Sequence, residues 1–264
     1  MSEETKADIL KIGEHRFTSR LLLGTAAYPD RQTLFDCLQQ SGTQLVTVSL
    51  RRVSVSSPGT ESLYEALTKR GYSLLPNTAG CFTAREAILT AKMAREALGV
   101  SLLKLEVIND EETLLPEPFE LVEAAKTLVN DGFTVLPYTN DDPILAQRLE
   151  DAGCAAIMPL AAPIGTGLGI RNPHNLELIR SRTTLPVIVD AGIGTASAAA
   201  KALELGCDAV LLNTAVSRAR DPLKMAIAMG KAVEAGRLAY ISGRMPQKFL
   251  AESASPMAGR AWKQ

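Results

Sequence analysis

Apolar runs of strand length alternate with stretches of helical periodicity eight times along this chain, and that pattern predicts an α/β fold, a single-domain (β/α)8 TIM barrel. Three observations carry the prediction. The repeats recur at a mean spacing of about 30 residues, the size of a βα unit. The 264 residues sit close to the roughly 250 usual for such barrels. Glycines close one helical stretch after another. An open doubly wound sheet shares the alternation, and the count of eight argues for closure.

The elements follow in order. A short leader, residues 1–19, carries one small hairpin between Ile9 and Phe17. The first strand, Arg20 to Ala26 (RLLLGTA), is an apolar run ending in Gly and small residues. Asp30 to Gln40 then has apolar residues at Leu34, Cys37 and Leu38, helical spacing closed by Gly42. The second strand is Leu45 to Leu50, followed by a loop with Arg51, Arg52 and SVSSPGT, and by a helix from Ser62 to Lys69 stopped at Gly71. Strand Ser73 to Thr78, helix Thr83 to Leu98 and strand Ser101 to Ile108 complete the first half. The second half has helix Pro118–Asn130, strand Phe133–Thr139, helix Asp142–Ala152, strand Ala155–Leu160 and helix Pro173–Ser181. Strand Pro186–Asp190, helix Thr195–Leu205, strand Ala209–Thr214 and helix Pro222–Glu234 end the series. The barrel spans 20–236, and residues 237–264 form a tail of little periodicity, expected to be partly mobile.

Composition bounds the function. Net charge is -1, with 22% charged and 46% apolar residues, so the chain has no general attraction to nucleic acid or an anionic membrane. The first twenty residues carry charges throughout and lack an apolar stretch of signal-peptide length, and no later run is long enough to cross a bilayer. The expected compartment is the cytoplasm. Four scattered cysteines, no C-x-x-C and two histidines give no basis for a metal site. No cofactor is expected either, because the glycines of Pro163–Ile170 (PIGTGLGI) follow a G-x-G-x-G spacing with no acidic residue at the distance a dinucleotide needs.

The chemistry concentrates on SLLKLEVI, Ser101 to Ile108. Strand alternation points Leu102, Lys104, Glu106 and Ile108 one way and Leu103, Leu105 and Val107 the other. Two charges thus share a face inside a sheet covered on both sides, where they either pair structurally or do chemistry. Burial destabilises an ammonium, so Lys104 is expected as a proton-poor amine able to attack a ketone. Glu106, roughly 6.6 Å further along the strand, is placed to move protons without necessarily salt-bridging the lysine. Strand seven ends in Asp190, a base or a helix N-cap. Ala191-Gly192-Ile193-Gly194-Thr195 then opens a helix, a phosphate cradle or simply a tight turn. Strand eight ends in Asn213-Thr214, whose amide and hydroxyl suit the same cradle. Arg51 and Arg52 either grip an anion or remain solvated, and Tyr138 and Asn140 are open candidates. Lysine, carboxylate and cradle together describe a Schiff-base enzyme acting on a phosphorylated sugar.

In order and spacing, LLPNTAGC, SLLKLEVI, PYTNDDPILAQRLEDAGCAAIMPL, VIVDAGIGTASAAA and AVLLNTAV resemble bacterial thiazole synthase of thiamine biosynthesis, from about Leu22 to Gly236. The resemblance implies a barrel that builds thiazole phosphate carboxylate from 1-deoxy-D-xylulose 5-phosphate, dehydroglycine and sulfur. The sulfur arrives as a thiocarboxylate on a ubiquitin-like sulfur-carrier protein. It further implies that Lys104 forms the imine, that Glu106 and Asp190 are the acid/base pair, and that Gly165, Ala191, Gly192, Asn213 and Thr214 bind the ligand. Homo-oligomers, often tetramers, are implied as well. The chain departs from the family in Ala161-Ala162, where Gly-Ser is usual, and in Leu168, where Gln is common. Both changes fall on the loop expected to meet the carrier tail or dehydroglycine. Two other functions share the same residues: an aldolase-like sugar-phosphate lyase, and a non-catalytic phosphate-binding barrel.

Overall fold

The computed structural model describes residues 8–49 and 61–254. Leu50, Arg51, Arg52, the SVSSPGT loop, the first seven residues and 255–264 lie outside the described residues.

The barrel strands are β3 (Leu21–Gly24), β4 (Leu45–Ser49), β5 (Ser73–Asn77), β6 (Leu102–Leu105), β7 (Thr134–Thr139), β8 (Met158–Pro159), β9 (Ile188–Asp190) and β10 (Ala209–Leu212). Each pairs in parallel with its neighbours, in the order β8-β7-β6-β5-β4-β3-β10-β9. A parallel bridge between Ile157 and Val187 joins the two ends and closes the ring. The expectation of a barrel rather than an open sheet therefore holds. A hairpin, β1 (Leu10–Ile12) and β2 (His15–Phe17), precedes it.

Helices α1 (Arg31–Ser41), α2 (Leu63–Lys69), α3 (Ala84–Leu98), α4 (Pro118–Asn130), α5 (Pro143–Asp151), α6 (Pro173–Arg182) and α7 (Ala196–Glu204) alternate with the strands. A one-turn α8 (Thr214–Ser217) and the long α9 (Pro222–Ser242) end the described barrel. Their starts follow the capping residues in the sequence. Asp30, Ser62, Thr83, Asp142, Thr195 and Asp221 each accept a backbone N–H of the first turn, which satisfies donors the helix itself leaves open. Helices α1 and α3 end on left-handed Gly42 and Gly99, as expected.

Strand alternation sorts the core into two. Leu23, Val46, Leu103, Leu105, Val135 and Val189 face the helices in one cluster. Leu22, Leu45, Leu75, Leu102, Leu136, Met158 and Ile188 fill the barrel, together with Leu10, Ile12 and Phe17 of the hairpin. The hairpin thus plugs the lower end, and the segment expected as a leader belongs to the core from Leu10 onward.

Several boundaries differ from the sequence reading: strand eight stops at Leu212, so that Thr214 opens α8 rather than ending the strand, and three other differences are larger. The SLLKLEVI strand ends at Leu105, because Val107 and Ile108 bond instead to the next loop, through Glu117 N–H to Val107 O and an antiparallel bridge of Ile108 to Pro116. Strand six is two residues long. The last helix runs to Ser242, eight residues past Glu234, and Gly236 lies within it, where a Cβ would stand 2.3 Å from Ala200 O of α7. Gly236, expected as the last residue of the barrel, is therefore a packing glycine inside the helix.

Candidate active site

The carboxyl ends of the strands surround a cavity of about 290 Å³. The eight residues given catalytic or ligand-binding roles above all line it: Lys104, Glu106, Asp190, Gly165, Ala191, Gly192, Asn213 and Thr214. They come from the ends of β6, β8, β9 and β10, the face on which such barrels carry their chemistry.

Lys104 stands on β6 with its side chain directed into the barrel, 5% exposed. Its Nζ lies 2.6 Å from Asp190 Oδ2 and 3.1 Å from Glu106 Oε1. The Tyr138 ring lies to one side, its centroid 5.6 Å from Nζ. Glu106 is held by its backbone: its N–H donates to Thr78 Oγ1 at 2.8 Å, and that hydroxyl donates back to Glu106 O at 2.7 Å.

This geometry corrects the expectation of a proton-poor amine and of a Glu106 that leaves the lysine unpaired. Burial alone pulls the lysine pKa down, but Asp190 and then Glu106 outweigh it and drive the pKa up. The magnitudes agree. Two opposite charges about 3 Å apart attract by roughly 5 kcal/mol at an effective dielectric of 20, and there are two such pairs against one desolvation penalty of several kcal/mol. Lys104 therefore rests as an ammonium. For Asp190, burial raises the pKa, the Lys104 charge opposes that, and the Glu106 charge adds to it. One cation between two carboxylates leaves an excess negative charge, so Asp190 is the carboxylate primed to take a proton.

Asp190 does not cap the following helix. Thr195 does, by accepting the Ala198 N–H at 3.2 Å. Between them, Ala191 (φ +74°) and Gly192 (φ +77°) are both in the left-handed region, an uncommon conformation for alanine. A Cβ on Gly192 would lie 2.3 Å from Ala162 N, and one on Gly194 would lie 2.5 Å from Gly167 O. Two hydrogen bonds complete the clasp between this turn and the strand-six loop: Gly169 N–H to Gly192 O at 2.8 Å and Ala161 N–H to Ala191 O at 3.2 Å. The glycine-rich loop thus rests on the turn after strand seven. Of the departures, Ala162 is buried in this contact, whereas Leu168 is 59% exposed. At the ends of the paired strands β3 and β10 a Cβ on Gly24 would stand 2.8 Å from Asn213 Cβ, so that glycine admits the asparagine. Asn213 Oδ1 is buried without a hydrogen-bond partner among the described residues.

Tyr138 is fully buried, and its hydroxyl donates to Leu114 O at 3.3 Å. Asn140 has a local role, accepting Asp142 N–H at 3.1 Å. Burial pushes the thiols of Cys37 to about 11 and of Cys154 and Cys207 to about 12, the pattern of inert core cysteines. Gly24, Thr25, Thr47, Ser49 and Asn77 also line the cavity. The sequence reading missed them, although each lies at or near the carboxyl end of one of the first three strands, a position that could have flagged it.

Residues 11–256 match the model of the family described as "Thiazole biosynthesis protein ThiG". A thiazole synthase of Geobacter sp. (strain M21) is 56% identical over 252 residues, covering 96% of this chain and 97% of the relative. Another, of Geotalea uraniireducens (strain Rf4), is 54% identical over 255 residues, covering 97% and 98%. Among solved structures, a chain of the Amycolatopsis orientalis BexX/CysO complex superposes with a TM-score of 0.80 at 35% identity, covering 90% of this chain and 98% of that one. The 3-hexulose-6-phosphate synthase from Salmonella typhimurium, at 17% identity and a TM-score of 0.59 over 81% of this chain and 98% of that one, shares the fold alone.

Proposed function

The chain belongs to the thiazole synthase (ThiG) family of thiamine biosynthesis, and from that premise we propose that it condenses 1-deoxy-D-xylulose 5-phosphate, dehydroglycine and carrier-bound sulfur through an imine on Lys104. The observation that carries this reading is the contact of one buried lysine with two buried carboxylates at the mouth of the barrel, 2.6 and 3.1 Å away.

The sequence of proton movements follows from those distances. Lys104 passes a proton to Asp190, and the freed amine attacks the C2 ketone. The carbinolamine loses water to give the imine, with the departing hydroxyl protonated by the same carboxyl group. Glu106 takes the C3 proton, and its return at C2 through the enaminol moves the carbonyl to C3. The thiocarboxylate of the carrier attacks there, and water leaves. Backbone N–H groups around Ala191 and Gly192, with Asn213 and Thr214, hold the phosphate, while Gly165 brings the strand-six loop against the ligand.

A protein partner is supported by the solved relative, which is a complex of BexX with CysO. The partner proposed for this chain is a ubiquitin-like sulfur carrier. Self-association is supported by exposed Leu89 and Met93 on α3 and Phe119 on the neighbouring α4; the tetramer is proposed from the family resemblance alone. Among the described residues no helix is long and apolar enough to cross a membrane, and the compartment proposed is the cytoplasm.

Borohydride reduction with deoxyxylulose phosphate, followed by mass spectrometry, tests the reading. Wild type is expected to give a stable adduct that Lys104→Arg lacks, and no adduct in wild type would favour a non-catalytic barrel. Retro-aldol cleavage of the sugar, with no response to thiocarboxylated carrier, would favour the lyase.

A further inference from the structure

The inward faces of the first barrel strands change chemistry at one level. Below it Leu22, Leu45 and Leu75 are at most 2% exposed and pack with the barrel interior. One alternation higher stand Thr47 on β4 and Asn77 on β5, and one further up β4 stands Ser49, all lining the cavity. Thr47 is only 6% exposed. Its hydroxyl opens on the cavity, where a bound molecule can supply a hydrogen-bond partner.

No described residue does so. Among the described residues the Thr47 and Ser49 hydroxyls make no hydrogen bond, and Asn77 accepts only a 3.5 Å contact from Ala79 N–H. Their backbones, by contrast, are held: the Thr25 hydroxyl donates to Thr47 O at 3.1 Å and the Tyr64 hydroxyl to Ser49 O at 2.8 Å. The strand is fixed and the side-chain groups are left open to the cavity. Asn77 lies in register with Lys104 on the adjacent strand, which places the group beside the amine.

We infer that Thr47, Ser49 and Asn77 form a hydrogen-bonding wall that binds the chain hydroxyls of an open-chain ketose phosphate, across from the phosphate cradle, and so sets which carbonyl meets Lys104. The inference rests on the imine reading above and extends it to substrate selection. An alcohol on C3 or C4 of the sugar replaces the missing partner of each side chain, and a ketone phosphate without those alcohols leaves the wall unsatisfied.

The test uses the full chain and two ketones in the borohydride trap. One is deoxyxylulose phosphate, and the other is 4-oxopentyl phosphate, the same methyl ketone phosphate with both chain hydroxyls replaced by hydrogen. The readout is the ratio of their half-saturating concentrations. Wild type is expected to prefer the hydroxylated ketone by about tenfold or more, the effect of one or two neutral hydrogen bonds. Thr47→Val, Ser49→Ala and Asn77→Leu each reduce that preference several-fold, and Thr47→Ser, which keeps the hydroxyl, retains it. Should Thr47→Val fail to fold, Ser49→Ala at the half-buried strand end carries the comparison. An unchanged preference in Thr47→Val, Ser49→Ala and Asn77→Leu alike would overturn the inference, as would a wild type with no preference. If wild type forms no adduct with either ketone, the imine reading itself has failed, and the wall falls with it.

Discussion

At Lys104 a single side chain balances two carboxylates, so the consequences of removing each member differ in sign. Lys104→Met leaves Asp190 and Glu106 buried and facing each other, a loss of about 3–5 kcal/mol near pH 8. A carboxyl whose folded pKa stands above its unfolded value binds its proton more tightly when folded, so stability falls as pH rises through that window. Asp190 is raised already by burial, and losing Lys104 raises it further. The deficit of Lys104→Met is therefore expected to shrink between pH 8 and pH 5 in paired thermal melts, and a deficit that stays constant would contradict the triad. Asp190→Asn removes the excess charge instead. It should melt no lower than wild type yet lose roughly 100- to 10,000-fold in turnover, the usual contribution of a proton-transfer group. Tyr138→Phe keeps the ring beside Nζ but strands the Leu114 carbonyl, at a cost of about 1 kcal/mol measurable by urea unfolding. Much of this site was legible in the sequence. The shared face of Lys104 and Glu106 follows from strand alternation, and Asp190 marks a strand end. The ion pairing was not legible, because periodicity gives a direction and no distance, and because only closure of the ring brings Asp190 of strand seven onto Lys104 of strand four. Thr47 went unread for another reason: threonine within LVTVS is an ordinary strand residue until its inward neighbours are known.

The element that shapes the cradle is the turn from β9 into α7, laid beneath the strand-six loop. Its conformation depends on a missing side chain, since a Cβ on Gly192 would meet backbone atoms of Ala162 at 2.3 and 2.6 Å and would sit at φ +77°. Gly192→Ala is accordingly expected to separate the two loops. The half-saturating concentration for the trapped adduct should rise by at least tenfold, while far-ultraviolet dichroism keeps its barrel signature. Normal ketone affinity in that variant would show that the clasp does not form the cradle. Ala191 offers the converse case. It holds a left-handed φ that costs about 1–2 kcal/mol in an alanine, so Ala191→Gly should leave stability within about 1 kcal/mol of wild type, relief of strain being offset by added chain entropy. At this scale the helices were readable because capping residues and glycine stops are local signals. Strand ends were less so. The β6 end depends on Val107 and Ile108 bonding to a loop some ten residues on, and Gly236, expected as the end of the barrel, lies inside α9, where the backbone of α7 approaches it.

Across the whole molecule the barrel has two chemically different ends, a polar mouth and an apolar floor plugged by the β1–β2 hairpin. Asp8 ties that hairpin to the rest. Its carboxylate accepts paired hydrogen bonds from Arg20 at 2.7 and 3.0 Å and from Arg237 of α9 at 2.8 and 2.9 Å. Arg20 in turn donates to Asp208 O at 2.7 Å, just before β10. One carboxylate therefore joins the start of the described chain, the first barrel strand and the last helix. The Arg237 hydrogen bonds, with those and the charge of Arg20, hold its pKa well below the usual carboxylate range against a smaller opposing effect of burial. A depressed folded pKa means stability that is fully present above the ordinary value of 3.8 and is lost as pH falls toward the folded value. The Asp8 side chain is 41% exposed, so solvent screening limits the contribution to about 1 kcal/mol. Asp8→Asn should therefore lower the urea midpoint modestly and equally at pH 7 and pH 5, with the difference narrowing below about pH 4. Because the strap lies at the floor, the Lys104 adduct should form with an unchanged half-saturating concentration. A difference that persisted undiminished to pH 2 would mean that Asp8 stabilises the fold through its shape or hydrogen bonding rather than its charge.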